Sequence, residues 1–459
     1  AVRLMTDSEV KKVRRFILIA LLAALSLAPV ARSQQATRLP DTAASSATAD
    51  KSSADIRRET FDIVWRTVNE KHFDPSFGGV DWPRVRERYA PRIEEVKTNA
   101  ELYEVLQQML GELGQSHFNI IPPEAVIADD VKEPPIGGVG IDVQMLEGQA
   151  VITRLEAESP AARAGLKTGF IIKQVDDATV EQIAEKFSKA KISASMKRAR
   201  ITRSVMQRIN GNPDTEVRIA ALDERNRQRE VTLKRERLKG ELSKRLGNFP
   251  PQYSEFEARR IEGGIGYIRF NIFTLNLSDR ILTAIRSMND APGLVIDLRG
   301  NPGGVGAMAS TIAGVLQTQP GSLGAMKLRN SQVDFRIFPR KDAYTGPVVV
   351  LIDGRSGSTS EVFTSGMQEE GRVIVVGERS VGAALPSAFQ KLPTGALFQY
   401  AIADFKTPKG VLIEGRGVIP DIEVSLKRSD LLKGHDRQME VAIEQIRKRS
   451  KAASQRIAG

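Results

Sequence analysis

The spacing of apolar residues changes twice along the chain and divides it into three parts. From Ile56 the spacing is helical, with Phe61, Val64, Trp65 and Val68 on one face, which predicts a helical domain over residues 56–125. Residues 130–238 contain short apolar runs typical of β-strands, namely Val139–Val143, Ala150–Leu155, Ile171–Val175, Val217–Ala221 and Val231–Arg235. From Gly263 strands alternate with helices, which predicts an α/β core with a largely parallel, buried sheet over residues 261–430. The pattern as a whole indicates a multidomain α+β protein.

The α/β part defines the most regular set of elements. The predicted strands are Ile265–Phe270, Gly293–Leu298, Pro347–Ile352 and Val373–Gly377, and the predicted helices are Asp279–Met288, Gly306–Leu316 and Thr359–Glu370. Functional loops are expected at the strand ends of such a sheet. Residues 239–260 are predicted to be a linker. Residues 431–459 are predicted to form a basic C-terminal helix, over about Arg437–Ser450, that packs through Met439, Val441, Ala442 and Ile446.

The first 33 residues have the pattern of a secretory signal peptide. Basic residues from Lys11 to Arg15 precede the apolar run Phe16–Pro29, and small residues follow around Ala31–Ser33. The alternative is an uncleaved membrane anchor, but the run is shorter than the roughly 20 residues that span a bilayer. We therefore expect export to a periplasm or beyond the cell, with only transient membrane association. Residues 34–55, rich in Ala, Ser and Thr, are predicted to be a disordered linker.

Composition excludes several kinds of function. The net charge is +11, but basic and acidic residues alternate almost everywhere, and only Met196–Arg208 and Arg447–Lys451 are locally basic. Neither segment has the interleaved aromatic residues of a nucleic-acid binder, so no nucleic-acid partner is predicted. The absence of cysteine removes disulfides, thiol nucleophiles and thiolate metal ligands, and only three histidines are present. The sequence predicts neither a metal site nor a cofactor.

The segment Ser159–Gly169 closely resembles the turn and short helix of bacterial PDZ domains, although Phe170 stands where Asp is usual. The resemblance makes the Gly-rich stretch before it a carboxylate-binding loop, formed by Gly138, Val139, Gly140 and Ile141. In such domains backbone N–H groups bind a peptide C-terminus, and a strand edge pairs with the peptide. Residues 130–238 are thus expected to be a PDZ-like domain that captures polypeptide substrates. Gly-rich turns before strands are also common without any such role.

Two loops of the α/β part could carry chemistry. The loop Gly300–Gly304 follows a strand and enters a helix, so its N–H groups could hold an oxyanion or a phosphate, or simply form a tight turn. Ser358 also lies between a strand and a helix. With Glu361 it forms the Ser-x-x-Glu pattern of a capping box. At the same position a serine nucleophile would gain from the helix N-terminus.

These loops and their flanks resemble the C-terminal processing (tail-specific) serine peptidases. The likeness covers roughly residues 57–430 and is carried by Ile296–Gly304, Gly357–Glu361 and Gly371–Glu378. It implies that Ser358 is the nucleophile and that the N–H groups of Gly303 and Thr359 hold the oxyanion. Ser356 and Ser360 are the fallback nucleophiles.

One departure from the family pattern affects the mechanism. Many members use a lysine base, and Ala383 occupies that position here, so a Ser–Lys dyad is impossible. The chain resembles instead the tricorn-like branch, which has a Ser–His–Glu set. That resemblance makes His117 the general base, Glu414 its orienting carboxylate and Ser116 a supporting hydroxyl.

The function implied is an exported serine endopeptidase that cleaves partly unfolded polypeptides by acyl transfer. The alternative is a catalytically inactive PDZ-containing scaffold, which Ala383 favours, and a third possibility is a retinoid-binding-like carrier on the same core. His72, beside a helix end, and His435, in a polar connection, are expected to be surface residues. The oligomeric state and the cleavage specificity have no signal in the sequence.

Overall fold

Three helices form the N-terminal part of the described chain: α1 (Ser53–Lys71), α2 (Trp82–Glu95) and α3 (Asn99–Gly111). The computed structural model describes residues 52–188, 190 and 192–458, with residues 452–458 described by their backbone alone. The predicted signal peptide, and the predicted linker up to residue 51, lie outside the described residues. Helix α1 begins at Ser53, and the side chain of Ser52 caps it. The last three residues of the predicted linker, 53–55, therefore belong to this helix.

The helices pack around two tryptophans that exchange hydrogen bonds. The indole N–H of Trp65 donates to the carbonyl oxygen of Trp82, and that of Trp82 donates to the carbonyl oxygen of Trp65, each at 3.1 Å. After α3, strand β1 (Asn119–Ile121) pairs antiparallel with β20 (Leu397–Ala401), so the helical part shares one apolar core with the C-terminal half of the chain. This pairing fixes the Ser116–His117 pair, just before β1, against the α/β part.

A β-rich region follows, with its own apolar core. Its principal sheet has the order β3-β4-β5-β7-β8, with β6 paired to β5, and β2 pairs separately with β9. The strands are β2 (Gly137–Gly138), β3 (Ile141–Leu146), β4 (Gln149–Leu155), β5 (Ile171–Val175), β6 (Ala178–Thr179), β7 (Glu216–Leu222), β8 (Gln228–Lys234) and β9 (Glu236–Arg237). All five strands predicted here have a counterpart, although the first begins at Ile141 rather than Val139. Strand β3 lies at the edge of the sheet.

Three helices accompany this sheet: α4 (Pro160–Arg163), α5 (Val180–Glu185) and α6 (Ala194–Ile209). Helix α4 is the short helix expected after Ser159, which caps it. Helix α6 was not predicted, because its basic residues mask the apolar face formed by Met196, Val205 and Ile209. The N-terminus of α6 contacts the α/β part, since Ser195 Oγ donates to the carbonyl oxygen of Val381 (3.0 Å).

The α/β part is built on a six-stranded sheet of order β12-β13-β14-β17-β18-β22. Only the β12–β13 pair is antiparallel, so the sheet is largely parallel, as predicted. Its elements are β12 (Phe256–Arg260), β13 (Gly266–Phe270), α7 (Leu275–Ser287), β14 (Leu294–Asp297), α8 (Ala307–Ala313), β17 (Val348–Ile352), α9 (Thr359–Glu369), β18 (Ile374–Gly377) and β22 (Ile422–Glu423). The carboxyl ends of β14 and β17 are neighbours, which brings the two predicted functional loops together.

Smaller sheets surround this core. The segment predicted to be a linker, 239–260, contains strands β10 to β12. Strand β12 is the edge strand of the large sheet. Its sequence did not predict a strand, because charged residues interrupt the apolar ones. The remaining strands are β10 (Glu241–Leu242), β11 (Tyr253–Ser254), β15 (Gly321–Leu328), β16 (Gln332–Ile337), β19 (Ser387–Lys391) and β21 (Ala403–Lys406).

The chain closes with α10 (Arg428–Leu431) and α11 (Arg437–Ala458). Helix α11 packs on the face of the sheet opposite α8 and α9, where Ala442 and Ile446 are fully buried and Met439 and Val441 are partly buried. The predicted packing of this helix is confirmed.

Candidate active site

Ser358 lies at the sharp turn between strand β17 and helix α9. Its backbone angles are φ 51° and ψ −118°, a conformation that a residue with a side chain rarely adopts. The residue is half-buried. A strained strand-to-helix turn that presents a serine in this way is typical of a nucleophile elbow.

The structure separates Ser358 from the two fallback nucleophiles. The hydroxyl of Ser356 donates to the carbonyl oxygen of Leu298 (2.8 Å), and that of Ser360 donates to the carbonyl oxygen of Asn301 (2.9 Å). Both serines have no exposed surface. Their hydroxyls therefore anchor the 298–304 loop, and of the three serines only Ser358 is accessible.

The Ser-x-x-Glu pattern forms a capping arrangement, as one interpretation of the sequence required. The Ser358 N–H donates to Glu361 Oε2 (3.0 Å), while the Glu361 N–H, near the Ser358 side chain, donates to the Ser358 carbonyl oxygen (2.8 Å). No side-chain hydrogen bond of Ser358 caps the helix. Capping by Glu361 is thus compatible with a serine hydroxyl that remains available for chemistry.

Gly303 lies directly against the serine turn. A Cβ atom built on it would stand 2.6 Å from Ser358 Cβ and 2.7 Å from the Thr359 nitrogen, so only glycine fits. The Gly303 N–H donates to Asn301 Oδ1 (2.9 Å). The Thr359 hydroxyl holds the same loop by donating to the Gly304 carbonyl oxygen (2.9 Å). The structure thus brings the two residues expected to bind the oxyanion together, with the Gly303 N–H already engaged.

Asp353 ties this loop to the serine turn and to the β-rich region. Its fully buried carboxylate accepts the N–H groups of Gly300 (2.9 Å), Arg355 (2.9 Å) and Ser356 (3.1 Å) through Oδ1. Gln144 on strand β3 donates its side-chain amide to Oδ2 (2.8 Å). Asp353 has no distinctive signal in the sequence, because an aspartate after a strand is common in turns.

His117, Ser116 and Glu414 form a connected cluster. The Ser116 hydroxyl lies 2.7 Å from His117 Nδ1 and donates to Glu414 Oε2 (2.9 Å), and the Ser116 N–H donates to Glu414 Oε1 (2.8 Å). Glu414 was expected to orient His117, and the contact between them passes through Ser116. The serine hydroxyl therefore occupies the central position of the set.

When Glu414 is ionised, this geometry favours one tautomer of His117. Since the Ser116 hydroxyl proton is directed to Glu414, the oxygen faces Nδ1 as an acceptor, which requires a proton on Nδ1. In the neutral ring Nε2 then carries the free lone pair. Such an imidazole can accept a proton at Nε2.

Burial shifts the pKa of both ionisable groups. Burial, with a smaller effect of the positive charge of Arg203, lowers the pKa of His117 to about 4, so the ring is neutral at neutral pH. Burial raises the pKa of Glu414 above its usual value, although hydrogen bonds from Ser116 and Ala384 oppose the shift. A neutral imidazole is the form that a general base requires.

The segment Ser380–Ala384, which contains the residue in place of the family lysine, links the serine turn to this cluster. The Ala383 carbonyl oxygen accepts the Ser358 N–H (2.9 Å), and the Ala384 N–H donates to Glu414 Oε2 (3.0 Å). Within the described part of the chain, no hydrogen bond joins the Ser358 hydroxyl to His117. The two residues are connected through the backbone of this segment, Glu414 and Ser116.

The predicted carboxylate-binding loop lies at the start of edge strand β3. Gly138 pairs with Glu236, and Ile141 pairs with Leu155. Gly140 has φ 76°, and a Cβ there would lie 2.2 Å from Ser159 Cβ, which explains the glycine next to the Ser159 turn. Between them, Val139 is buried, and its carbonyl oxygen accepts the Ala161 N–H (3.1 Å).

The other two histidines differ from each other. His72 is not the surface residue that was expected: it is buried, stacked between Phe73 and Phe118, and its ring nitrogens contact Asp74 and Gln115. The aromatic cluster around it supplies the apolar contacts that a surface histidine lacks. His435 is exposed, as expected, and it pairs with Glu440.

The described residues contain no cluster of side chains suited to a metal ion, and no helix among them is long and apolar enough to cross a membrane.

Two protein-family models match parts of the chain. Residues 264–424 match the model of Peptidase family S41, and residues 54–111 match the Tricorn protease C1 domain. The carboxyl-terminal-processing protease of Synechocystis sp. is 25% identical over 362 residues, which cover 78% of this chain and 78% of that protein. The α/β part of the chain is thus a Peptidase family S41 domain, and the chain is a serine peptidase similar to carboxyl-terminal-processing proteases.

Solved structures of such peptidases have the same fold. The photosystem II D1 C-terminal processing protease superposes with a TM-score of 0.55 at 22% identity, over 83% of this chain and 98% of that one. The tricorn protease superposes with a TM-score of 0.52 at 19% identity, over 87% of this chain and 37% of that one. A second relative, the carboxyl-terminal-processing protease of Picosynechococcus sp., is 26% identical over 78% of this chain and 81% of its own length. The chain is thus a serine peptidase with a mixed helix and sheet fold.

Proposed function

We propose that this peptidase is an endopeptidase that hydrolyses partly unfolded polypeptides through a Ser–His–Glu mechanism of the tricorn-like type, with Ser358 as nucleophile, His117 as base and Glu414 as the supporting carboxylate. The observation that carries the proposal is the hydrogen-bonded series His117–Ser116–Glu414, which leaves Nε2 of the imidazole free. Because Ala383 has no basic side chain, no lysine base is available at that position.

In the first chemical step, the Ser358 hydroxyl adds to the carbonyl carbon of the scissile bond and its proton passes to His117 Nε2. The imidazolium then gives this proton to the leaving amine as the C–N bond breaks, which leaves an ester on Ser358. Water then adds to the ester, again with proton transfer to Nε2, and the imidazolium returns this proton to Ser358 Oγ as the ester C–O bond breaks and the acid product departs. Glu414 stabilises the positive ring through the Ser116 hydroxyl.

The negative oxygen of the tetrahedral intermediate requires backbone donors. The Thr359 N–H lies at the first position of helix α9, where the helix N-terminus favours negative charge. The Gly303 N–H is the second donor. In the structure this N–H donates to Asn301 Oδ1. When the oxyanion forms, the N–H would donate to both oxygens or break its hydrogen bond to Asn301.

Substrate capture is assigned to the β-rich region as a PDZ-like domain. Edge strand β3 can accept an extended peptide, and the loop of Gly138, Val139, Gly140 and Ile141 at its start would hold the terminal carboxylate. The contact between Gln144 on this strand and Asp353 in the active-site loop supports a close relation between capture and cleavage.

Export is proposed from residues 1–33, which have the signal-peptide pattern. The protein would act in a periplasm or outside the cell. Retention of a membrane anchor is the alternative, and the mass of the mature N-terminus distinguishes the two.

Probe labelling tests the enzyme mechanism. An activated Ser358 should react with a fluorophosphonate, and labelling should disappear in both Ser358→Ala and His117→Ala. Hydrolysis of casein should be abolished in the same two variants and strongly slowed in Glu414→Gln, while His435→Ala, which changes an exposed histidine, should retain it. Full activity of Ser358→Ala would show that another residue is the nucleophile, whereas an unlabelled, inactive native protein that still binds peptides would favour the scaffold alternative.

A further inference from the structure

Glu361 is a buried carboxylate that the mechanism above leaves without a role. Its side chain is 1% exposed, and its two oxygens together accept four hydrogen bonds. Oε1 accepts the hydroxyl of Ser380 (2.5 Å) and the N–H of Gly382 (2.7 Å). Oε2 accepts the N–H groups of Ala383 and Ser358, each at 3.0 Å.

These donors come from the two sides of the active site. The Ser358 N–H belongs to the nucleophile itself and divides between Glu361 Oε2 and the Ala383 carbonyl oxygen. These two acceptors orient the Ser358 N–H and so hold the peptide plane that precedes the nucleophile. The carboxylate therefore supports the strained backbone conformation that presents the hydroxyl.

The other donors belong to the segment Ser380–Ala384, whose successive N–H groups are shared between two glutamates. Gly382 and Ala383 donate to Glu361, and Ala384 donates to Glu414 Oε2. Glu414 in turn holds Ser116 beside His117. A short backbone segment thus connects the carboxylate at the nucleophile with the carboxylate at the base.

The pattern of donors requires an ionised Glu361. All four partners direct a hydrogen at the two oxygens, and a protonated carboxyl would replace one of these acceptor sites with a fifth donor. No charged group of the described residues contacts the carboxylate, so backbone dipoles and the N-terminus of α9 balance its charge.

We propose that Glu361 is a positioning residue, whose carboxylate holds Ser358 in its reactive conformation and connects it through the Ser380–Ala384 segment to the Glu414 side of the active site. The inference rests on the proposed role of Ser358 as nucleophile. It assigns the fourth residue of the Ser-x-x-Glu pattern to alignment of the catalytic groups as well as to helix capping. In this protein, which has no lysine at position 383, the connection between nucleophile and base is made by two carboxylates and a backbone segment.

The variant Glu361→Gln separates this role from simple capping. Glutamine has nearly the same shape, but its amide would direct two hydrogens at either the Ser380–Gly382 pair or the Ala383–Ser358 pair of donors. We expect kcat to fall by about 100-fold, the effect of a small displacement of a catalytic group, with KM changed by less than about 3-fold. The matched control is Glu369→Gln at the other end of α9, where the carboxylate accepts from Thr407 Oγ1 and the Lys409 N–H, each at 2.8 Å.

A pH profile adds a measurement that a purely structural role would not change. Burial raises the pKa of Glu361 to about 7, despite the four donors, whereas the pKa of His117 is about 4. If the ionised Glu361 is required, the acid limb of kcat/KM lies near pH 7 in the native protein, and the remaining activity of Glu361→Gln has its acid limb near pH 4. The groups that face the carboxylate are those of Ser358, Ser380, Gly382 and Ala383, none of which titrates in this range.

The outcomes distinguish this inference from the proposed function. If Ser358→Ala is inactive while Glu361→Gln keeps the native kcat and acid limb, the positioning role is wrong and the nucleophile assignment stands. If Ser358→Ala is active, the proposed function itself fails. Should Glu361→Gln not fold, Ser380→Ala removes one donor and keeps the carboxylate: a lower kcat with the acid limb moved to higher pH supports the role, and unchanged values overturn it.

Discussion

The hydroxyl of Ser116 lies 2.7 Å from Nδ1 of His117, its neighbour in the chain, and donates its proton to Glu414 rather than to the ring. A serine thus stands where a carboxylate contacts the histidine directly in the Ser–His–Asp arrangement. The negative charge acts on the imidazole through a polarised hydroxyl.

Ser116→Ala should reduce kcat by about 100-fold, within the range expected when a general base loses its orienting partner. The physical reason is that the Nδ1 proton loses its acceptor, so that Nε2 no longer points reliably at the nucleophile. Steady-state hydrolysis of a quenched fluorescent peptide measures the effect, and Ser116→Thr, which restores a hydroxyl, should recover part of it. Ser188→Ala, which removes an exposed hydroxyl from a distant turn, is the control. Equal rates for Ser116→Ala and the native enzyme would exclude this role of the hydroxyl.

The charge of Arg203 should contribute to the low basicity of His117. Because burial and the Arg203 charge lower the pKa of His117 to about 4, Arg203→Gln should raise it while leaving it below the usual value of a histidine. Proton NMR titration of the Ser358→Ala variant measures this directly, since the chain has three histidines and His117→Gln identifies the signal. Arg208 lies on the same helix as Arg203 and pairs with Asp177. The control variant Arg208→Gln should leave the pKa of His117 unchanged. A His117 pKa that is identical with and without Arg203 would contradict the prediction.

The same shift makes the stability of the protein depend on pH. The folded-state pKa of His117 lies below the unfolded value, so its contribution is complete above about pH 6.5 and is lost as the pH falls through about 4. His117→Gln should reduce the change in the free energy of unfolding across this window. Urea unfolding at several pH values measures it, and an unchanged slope in the variant would indicate that the imidazole is not buried.

Gly303→Ala should abolish hydrolysis. The added methyl group would lie 2.6 Å from Ser358 Cβ and 2.7 Å from the Thr359 nitrogen, in the space assigned to the oxyanion, and φ 103° at this residue is unfavourable for alanine. Gly111→Ala is the matched control, because a Cβ there meets no atom within 4 Å. Peptide hydrolysis and fluorophosphonate labelling should both fail in Gly303→Ala, and retention of native activity would remove this loop from the oxyanion site.

Asp353→Ala should lower both stability and activity. Three backbone N–H groups and the Gln144 amide would lose a buried acceptor, which we expect to reduce the free energy of unfolding by about 3 kcal/mol. The activity should fall further than the loss of folded protein explains, since Gly300 begins the oxyanion loop. Denaturant unfolding and kcat measured below the transition separate the two effects. Asp334→Ala, on the exposed strand β16, provides the comparison.

Local patterns in the sequence were sufficient for the core of the fold. The parallel strands β13, β14, β17 and β18 were predicted because a sheet buried on both faces requires continuous apolar runs, which are visible without any partner. Helix α6 and strand β12 were not predicted, since charged residues interrupt their apolar positions. Their place depends on packing against elements distant in the chain.

The sequence by itself determined which residue types were available for catalysis: a serine at a strand-to-helix turn, no cysteine, and alanine where a lysine base would stand. The tertiary structure alone decided how the candidates are connected. The Ser116–Glu414 contact joins residues 298 positions apart, and the four donors of Glu361 come from two loops, so neither arrangement leaves a local signal. Hydrogen bonds of this kind depend on distances between folded segments, which spacing along one chain does not encode.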